Sequence, residues 1–513
     1  MKKFYITTPI YYVNAKPHIG HSYTSIAADC LARYNRRRLG KDNVWFLTGT
    51  DEHGQKIQKA ADEAKLSPQE FVDKIVPQFK DLWKALDISY DDFIRTTEER
   101  HIKFVQRVFD ILNQKGDIYE SKYEGWYCTP CETFWTELQI TNSLCPDCKR
   151  PLEKISETNY FFRLSKYQDW LVKYIGEHAD FIKPASRREE VLSFLGHNKL
   201  TDLCISRPKE RLSWGIPLPF PPEADSPQAS APEHVAYVWF DALINYISAV
   251  GSFDEKGNYS SKWWQEDVNV VQLIGKDILR HHAVYWPIML EALGIRQPNT
   301  VFAHGWWLIA DTKMSKSRGN VVNPIDIVNR FGIDSYRYFL LRDVPFGLDG
   351  NFSEESVTKR FNDDLANDLG NLLYRTLTMV EKYYEGNVPG LDIKNAGFDA
   401  NGEQLKKNLF IKVDITHAIG ANSDLNFSAA LTGIWEVINM ANKYVEETKP
   451  WNLVKEGKAE ELKKFIRLLV EVIRNVGEAV SPFMPRTAES IIEQIGKDKI
   501  NKTNPLFPRI ERK

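Results

Sequence analysis

The opening fifty residues constrain the fold more than any other stretch. KFYITT at residues 3–8 reads as a buried strand, and the loop behind it holds Pro9, Asn14 and Pro17. From His21 the apolar positions Tyr23, Ile26, Ala27, Cys30, Leu31 and Tyr34 repeat at helical spacing up to Gly40. NVWFLT at 43–48 reads as a second buried strand, ending in the polar turn GTDEHG. Strand, loop, helix and strand in that order open a parallel α/β sheet, because a helical crossover lets neighbouring strands run the same way. Such sheets collect ligands beyond the carboxyl ends of their strands. PHIGH and GTDEHG both lie at such ends and are expected to face one crevice.

The rest of the chain extends this plan. Its 513 residues are too many for one core. Residues 1–115 read as the first half of a Rossmann-type nucleotide-binding domain. Residues 116–230 read as a connective insert, with a cysteine cluster, aromatic hairpin-like pieces and much of the exposed loop IPLPFPPEADSPQASAPEH. The α/β pattern resumes over 231–325 with VAYVWFDALINYISAV, VNVVQLIGKDIL and NTVFAHGWWLI, so the insert splits the catalytic domain in two. Residues 326–365 form a linking segment. Residues 366–513 read as an α-helical bundle, in which Phe427, Ala430, Leu431, Ile434, Trp435, Ile438 and Ala441 repeat at helical spacing.

Asp241 breaks the longest apolar run, so no membrane span is expected. MKKFYITTPIYYV lacks the apolar centre of a signal peptide, and the expected place is the cytoplasm. The formal net charge of −2 excludes a wholesale polycation, so a nucleic acid would have to meet local basic patches.

Three motifs carry chemistry. A helix start is electropositive and its first N–H groups lack intrahelical partners. That is a poor place for the imidazolium forms of His18 and His21 and a good place for an anion. With Gly20 between them allowing close approach to the backbone, two neutral rings there suit nucleotide phosphates. KMSKSRGN puts Lys313 and Lys316 three apart on a serine- and glycine-bearing loop that can close over a triphosphate. A lysine at 4 Å from a phosphate charge is worth about 4 kcal/mol near a protein surface. Finally, Cys128 and Cys131, then Cys145 and Cys148, form two Cys-x-x-Cys knuckles spaced for one tetrahedral Zn2+. Four thiolates leave no open position, so this zinc is read as structural, in a reducing compartment.

His18-Ile19-Gly20-His21 followed by Lys313-Met314-Ser315-Lys316-Ser317 resembles the signature pair of the class I aminoacyl-tRNA synthetases. TTPIYYVNAKPHIGH, FLTGTDEHGQKI, VWFDALINY and VFAHGWWLIADTKMSKSRGN resemble the branch that charges methionine, over essentially the whole chain. The resemblance implies a ligase that converts methionine and ATP to methionyl-adenylate and pyrophosphate. Methionine then passes to the 3′ end of methionine-accepting tRNA, the initiator included.

The resemblance also assigns residues. His18, His21, Lys313 and Lys316 would be catalytic; Gly20, Asp277 and Lys316 would meet ATP, with Mg2+ arriving on the nucleotide. Ile10, Tyr12, Asp51, Trp239, Ala242, Tyr246, His282 and Trp286 would form the methionine site, Asp51 facing the ammonium. An aromatic slot suits a polarizable thioether. Asn371, Arg375 and Trp451 would read the anticodon, where stacking is worth about 1–3 kcal/mol per base. Some members have proline where this chain has Leu243. The insert is shorter than the editing domain of the isoleucine, valine and leucine enzymes. The family often adds a dimerisation domain near where this chain stops, so a monomer is expected. Two rival readings stay open: another class I synthetase, such as the cysteine enzyme, or a tRNA-binding paralogue without catalysis.

Overall fold

In the computed structural model the strands expected from KFYITT and NVWFLT run side by side, in register from Phe4↔Val44 to Thr7↔Leu47. The structure describes residues 2–129, 133–135, 137, 140, 142–146, 148–220, 233–309, 312–313, 322–420 and 423–511. Contacts divide the chain into two units: Met1–Pro17, Asn35–Lys84 and Ile88–Ala303 form the first, and His18–Tyr34, Ala85–Asp87 and His304–Lys513 the second.

The first unit is built on a seven-stranded sheet. Its strands are β1 (Lys3–Thr7), β2 (Tyr11–Tyr12), β3 (Val44–Asp51), β4 (Asp92–Arg95), β5 (Ile182–Lys183), β6 (Val268–Gly275) and β7 (Thr300–His304). The order is β2-β3-β1-β6-β7-β5, with β4 also on β3. The pairs β1–β3, β1–β6, β2–β3, β3–β4 and β5–β7 are all parallel. β3 runs on to Asp51, three residues beyond NVWFLT, because β2 and β4 both pair with its end and satisfy its backbone groups. GTD is therefore strand, and only EHG turns.

Register fixes which side chains share a face. Tyr5 pairs with Trp45 and Val270, Thr7 with Gln272, and Tyr12 with Asp51. With a period of two, Tyr5, Thr7, Gln272, Asp51 and Tyr12 fall on one side of the sheet. The helix α2 (Glu99–Gln114) buries His101, Val105, Val108 and Leu112 against the same core. VWFDALINY forms two short helices, α3 (Val238–Leu243) and α4 (Asn245–Ser248), separated at Ile244. Ile244 itself keeps right-handed helical angles, φ −68° and ψ −17°; Ala242 and Tyr246 are buried while Trp239 is half-buried. In the insert, Ile118–Cys128 and Glu153–Phe162 form a long antiparallel pair from Ile118↔Phe162 to Tyr127↔Glu153.

In the second unit, α1 (Ile19–Leu39) contributes its first four turns. Asp29 on this helix accepts from Arg337 Nη2 at 2.6 Å, and Arg337 is fully buried. A buried guanidinium is tolerable only when its fork is satisfied; here Nε also donates to the Phe483 carbonyl and Nη2 to that of Pro482. The helices that follow include α6 (Asn371–Tyr384), α7 (Phe427–Thr448), α8 (Pro450–Lys455) and α9 (Ala459–Val480), after α5 (Trp286–Leu293) of the first unit. Leu462, Phe465, Ile466, Leu469, Ile473, Val476 and Val480 make the buried stripe of α9. The region is not helical throughout. Trp307–Ile309 pairs with Thr312–Lys313 and Gly350–Asn351, and no helix follows Ile495 among the described residues. Among the described residues no helix is long and apolar enough to cross a membrane.

Candidate active site

The start of α1 is capped by its own histidines. The His18 carbonyl accepts from the N–H groups of His21 and Ser22, at 3.0 and 3.2 Å. His18 Nδ1 accepts from the Gly20 N–H at 3.1 Å, and His21 Nδ1 accepts from the His18 N–H at 3.1 Å. This is the reciprocal logic of a capping box, with imidazoles in place of the usual hydroxyl and carboxyl or carboxamide. A ring nitrogen that accepts carries no proton, so each neutral ring bears its proton on Nε2. The rings stack at 3.9 Å between centroids, a spacing that two imidazolium cations would resist. A Cβ at position 20 would lie 3.0 Å from His18 Cε1, so Gly20 is what lets that ring fold over the backbone.

Lys313 is the second residue of its short strand, paired with Leu308. Its side chain, and the whole of Lys316, lie outside the described residues.

In the first unit, Ile10, Tyr12, Trp239, Tyr246 and Trp286 join one hydrophobic cluster. Tyr5 Oη donates to the Tyr246 carbonyl at 2.9 Å, which sets α4 on the sheet face that also carries Tyr12 and Asp51. The phenol of Tyr246 lies 2.7 Å from His282 Nε2, and His282 Nδ1 lies 3.0 Å from the Ile278 carbonyl. A carbonyl can only accept, so Nδ1 carries the proton and Nε2 accepts from the phenol. Burial pulls the His282 pKa down from 6.5 to about 4, against small upward pushes from the Ile278 carbonyl and Asp277. Burial likewise pulls His281 down to about 3. The Tyr246 and Trp286 rings approach at 5.7 Å, and the indole N–H of Trp286 donates to Gln272 Oε1 at 3.1 Å. Trp239 stacks on His281 at 3.8 Å. The result is an aromatic wall without formal charge, with a carboxylate, Asp51, at the end of β3.

Asp277 is exposed on the turn Lys276–Ile278 directly after β6. In the second unit Asn371 opens α6, exposed, and Arg375 one turn later reaches Glu446 of α7 at 3.8 Å. Trp451 is 46% exposed at the start of α8, an unusual position for the largest aromatic side chain.

Three of the four expected zinc ligands converge. The sulfurs of Cys128, Cys145 and Cys148 lie within 4.8 Å of one another, with Cys128 and Cys148 at 3.5 Å. Zinc–sulfur bonds of 2.3 Å in a tetrahedron put sulfurs about 3.8 Å apart, so the donor set fits the metal. Cys131 lies outside the described residues.

Sequence reasoning missed the polar network beneath the GTDEHG turn. Glu52 is fully buried and takes both Nε and Nη2 of Arg95, at 2.7 and 2.8 Å, plus the Thr97 hydroxyl at 2.7 Å. Next to it, His53 Nδ1 meets Asp241 at 2.7 Å. The signal was present: a charged residue that interrupts an apolar run must find buried partners.

The chain matches the family model described as tRNA synthetases class I (M) over residues 4–155 and 150–377, and that of the anticodon-binding domain of tRNA ligase over 414–513. It is 50% identical to the methionine–tRNA ligase of Caldanaerobacter subterraneus subsp. tengcongensis over 498 residues, 96% of this chain and 74% of that one. Identity to the methionine–tRNA ligase of Clostridium tetani is 48% over 530 residues, 99% of this chain and 79% of that one. Among solved structures, Mycobacterium tuberculosis methionyl-tRNA synthetase in complex with methionyl-adenylate superposes with a TM-score of 0.88 at 36% identity, covering 99% of this chain and 100% of that one.

Proposed function

We propose, for a chain that belongs to the class I methionyl-tRNA synthetases, that its activation step runs on two neutral imidazoles and two lysines without a protein base. The reaction joins methionine to ATP, releases pyrophosphate and passes the aminoacyl group to tRNA. The attacking oxygen is the substrate's own carboxylate, already ionised. Positioning and stabilisation of the charge that builds on the phosphates must therefore supply the acceleration.

The single observation that carries this reading is how the His18 and His21 rings cap the start of α1 through Nδ1. Each spends Nδ1 on the backbone and so keeps Nε2–H as its donor. A donor aimed at a developing oxyanion contributes about 3 kcal/mol. Gly20 makes room for the His18 ring at the helix start, whose dipole favours the anion. Lys313 and Lys316 neutralise departing pyrophosphate, Asp277 meets the ribose, and Mg2+ accompanies ATP to screen its phosphates.

Asp51 takes the methionine ammonium. Ile10, Tyr12, Trp239, Ala242, Tyr246, His282 and Trp286 enclose the thioether; the neutral state of His282 keeps that enclosure uncharged. Asn371 and Arg375 read anticodon base edges while Trp451 stacks. The four cysteines hold a structural zinc in the insert, which favours the reducing cytoplasm as the place of action. Domain limits follow: 1–115 and 231–325 catalytic, 116–230 insert, 326–365 link, 366–513 anticodon binding.

ATP–pyrophosphate exchange tests the reading. Methionine alone should drive it, in the absence of tRNA. Exchange driven by cysteine, or none with methionine, would select one of the rival readings.

A further inference from the structure

Asp241 is only 1% exposed, a carboxylate in the midst of VAYVWFDALINYISAV. Its two oxygens are divided between two elements. Oδ1 accepts from His101 Nε2 of α2 at 2.7 Å, and Oδ2 accepts from His53 Nδ1 at 2.7 Å. His101 is itself fully buried and locked at its other nitrogen by the Ser248 hydroxyl of α4, at 2.7 Å. Burial pushes the Asp241 pKa up, but the His53 and His101 contacts outweigh it and leave the carboxyl below its ordinary range.

The neighbours of these groups give the arrangement its meaning. His53 lies two residues after Asp51; Asp241 lies between Trp239 and Ala242. We propose that Asp241 is a positioning residue for methionine binding: through His53 it holds the turn that follows Asp51 at the end of β3 against the helix that carries Trp239 and Ala242. One buried carboxylate thereby sets the distance between the ammonium site and the thioether site. His101 and Ser248 fix the carboxylate itself, so His53 is the segment that follows. Both oxygens of Asp241 are taken by imidazoles, so it acts through His53 rather than on substrate. The inference rests on the reading of Asp51, Trp239 and Ala242 as methionine-binding.

The test is steady-state exchange by the full chain, read for methionine and ATP separately. D241A should raise the methionine KM about tenfold while kcat and the ATP KM stay within about twofold. D241N should recover most of the affinity. Its amide oxygen still accepts from His53, and its NH2 can donate to His101 once that ring moves its proton toward Ser248. H53A covers the case in which D241A fails to fold; it frees the turn alone and should reproduce the methionine-selective loss. An unchanged methionine KM in H53A, equal losses for both substrates, or a D241N as poor as D241A would overturn the role. Absence of methionine-driven exchange in the wild type would instead overturn the methionine reading, and the role with it.

Discussion

His282 shows how one residue couples the candidate pocket to stability. Its folded pKa is depressed to about 4 from 6.5, so between those values the unfolded chain binds a proton that the native ring refuses. Stability therefore rises with pH across this window. It is complete above about pH 6.5, falls as pH drops, and the loss levels off below about pH 4, with a span of about 3 kcal/mol. Urea unfolding measured across this range should show a shallower slope in H282Q than in wild type; identical slopes would mean the ring is not what titrates. Removing the phenol that His282 accepts from is the complementary change. Y246F leaves a buried acceptor unpaired and should cost about 1–3 kcal/mol in the same unfolding measurement.

At the scale of elements, the start of α1 is capped by its histidines, and a substitution can separate that cap from the phosphate contact proposed for the same rings. Asn is as good an N-cap as any residue, so H18N should unfold close to wild type while exchange falls by about a hundredfold. If activity and stability fell together, the ring would be a cap and nothing more. The periodicity of α1 was legible because its apolar positions repeat over several turns. The end of β3 was not: Gly49, Thr50 and Asp51 look like turn residues, and only pairing with β2 and β4 makes them strand. The division of VWFDALINY into two short helices at Ile244 was equally hidden, since an apolar run of that length reads the same with or without a break. Asp241 announced itself as an anomaly, yet its partners His53 and His101 lie 188 and 140 residues away and no local pattern joins them. The cysteine spacing, by contrast, is local in sequence, and three of the four cysteines it singles out, Cys128, Cys145 and Cys148, do converge. Chelation should loosen the insert around Trp135 and Leu152, seen as hydrogen exchange confined to 118–162, because thiolate repulsion replaces metal bonds.

At the scale of the whole molecule, the roles proposed for the activation residues and for the anticodon residues can be tested apart. W451A should weaken tRNA charging by about tenfold and leave exchange without tRNA unchanged; a parallel fall in exchange would make Trp451 a structural residue. K316A should depress adenylate formation far more than methionine binding, because its charge acts as pyrophosphate departs. The central claim is that α1 presents two neutral imidazoles to the phosphates of ATP. A crystal structure with ATP and methioninol, which lacks the attacking carboxylate, tests it most directly. The account predicts Nε2 of both His18 and His21 within about 3.2 Å of phosphate oxygens, with both Nδ1 contacts to the backbone retained. A triphosphate bound elsewhere, with the rings still stacked and more than about 5 Å from any phosphate oxygen, would contradict it.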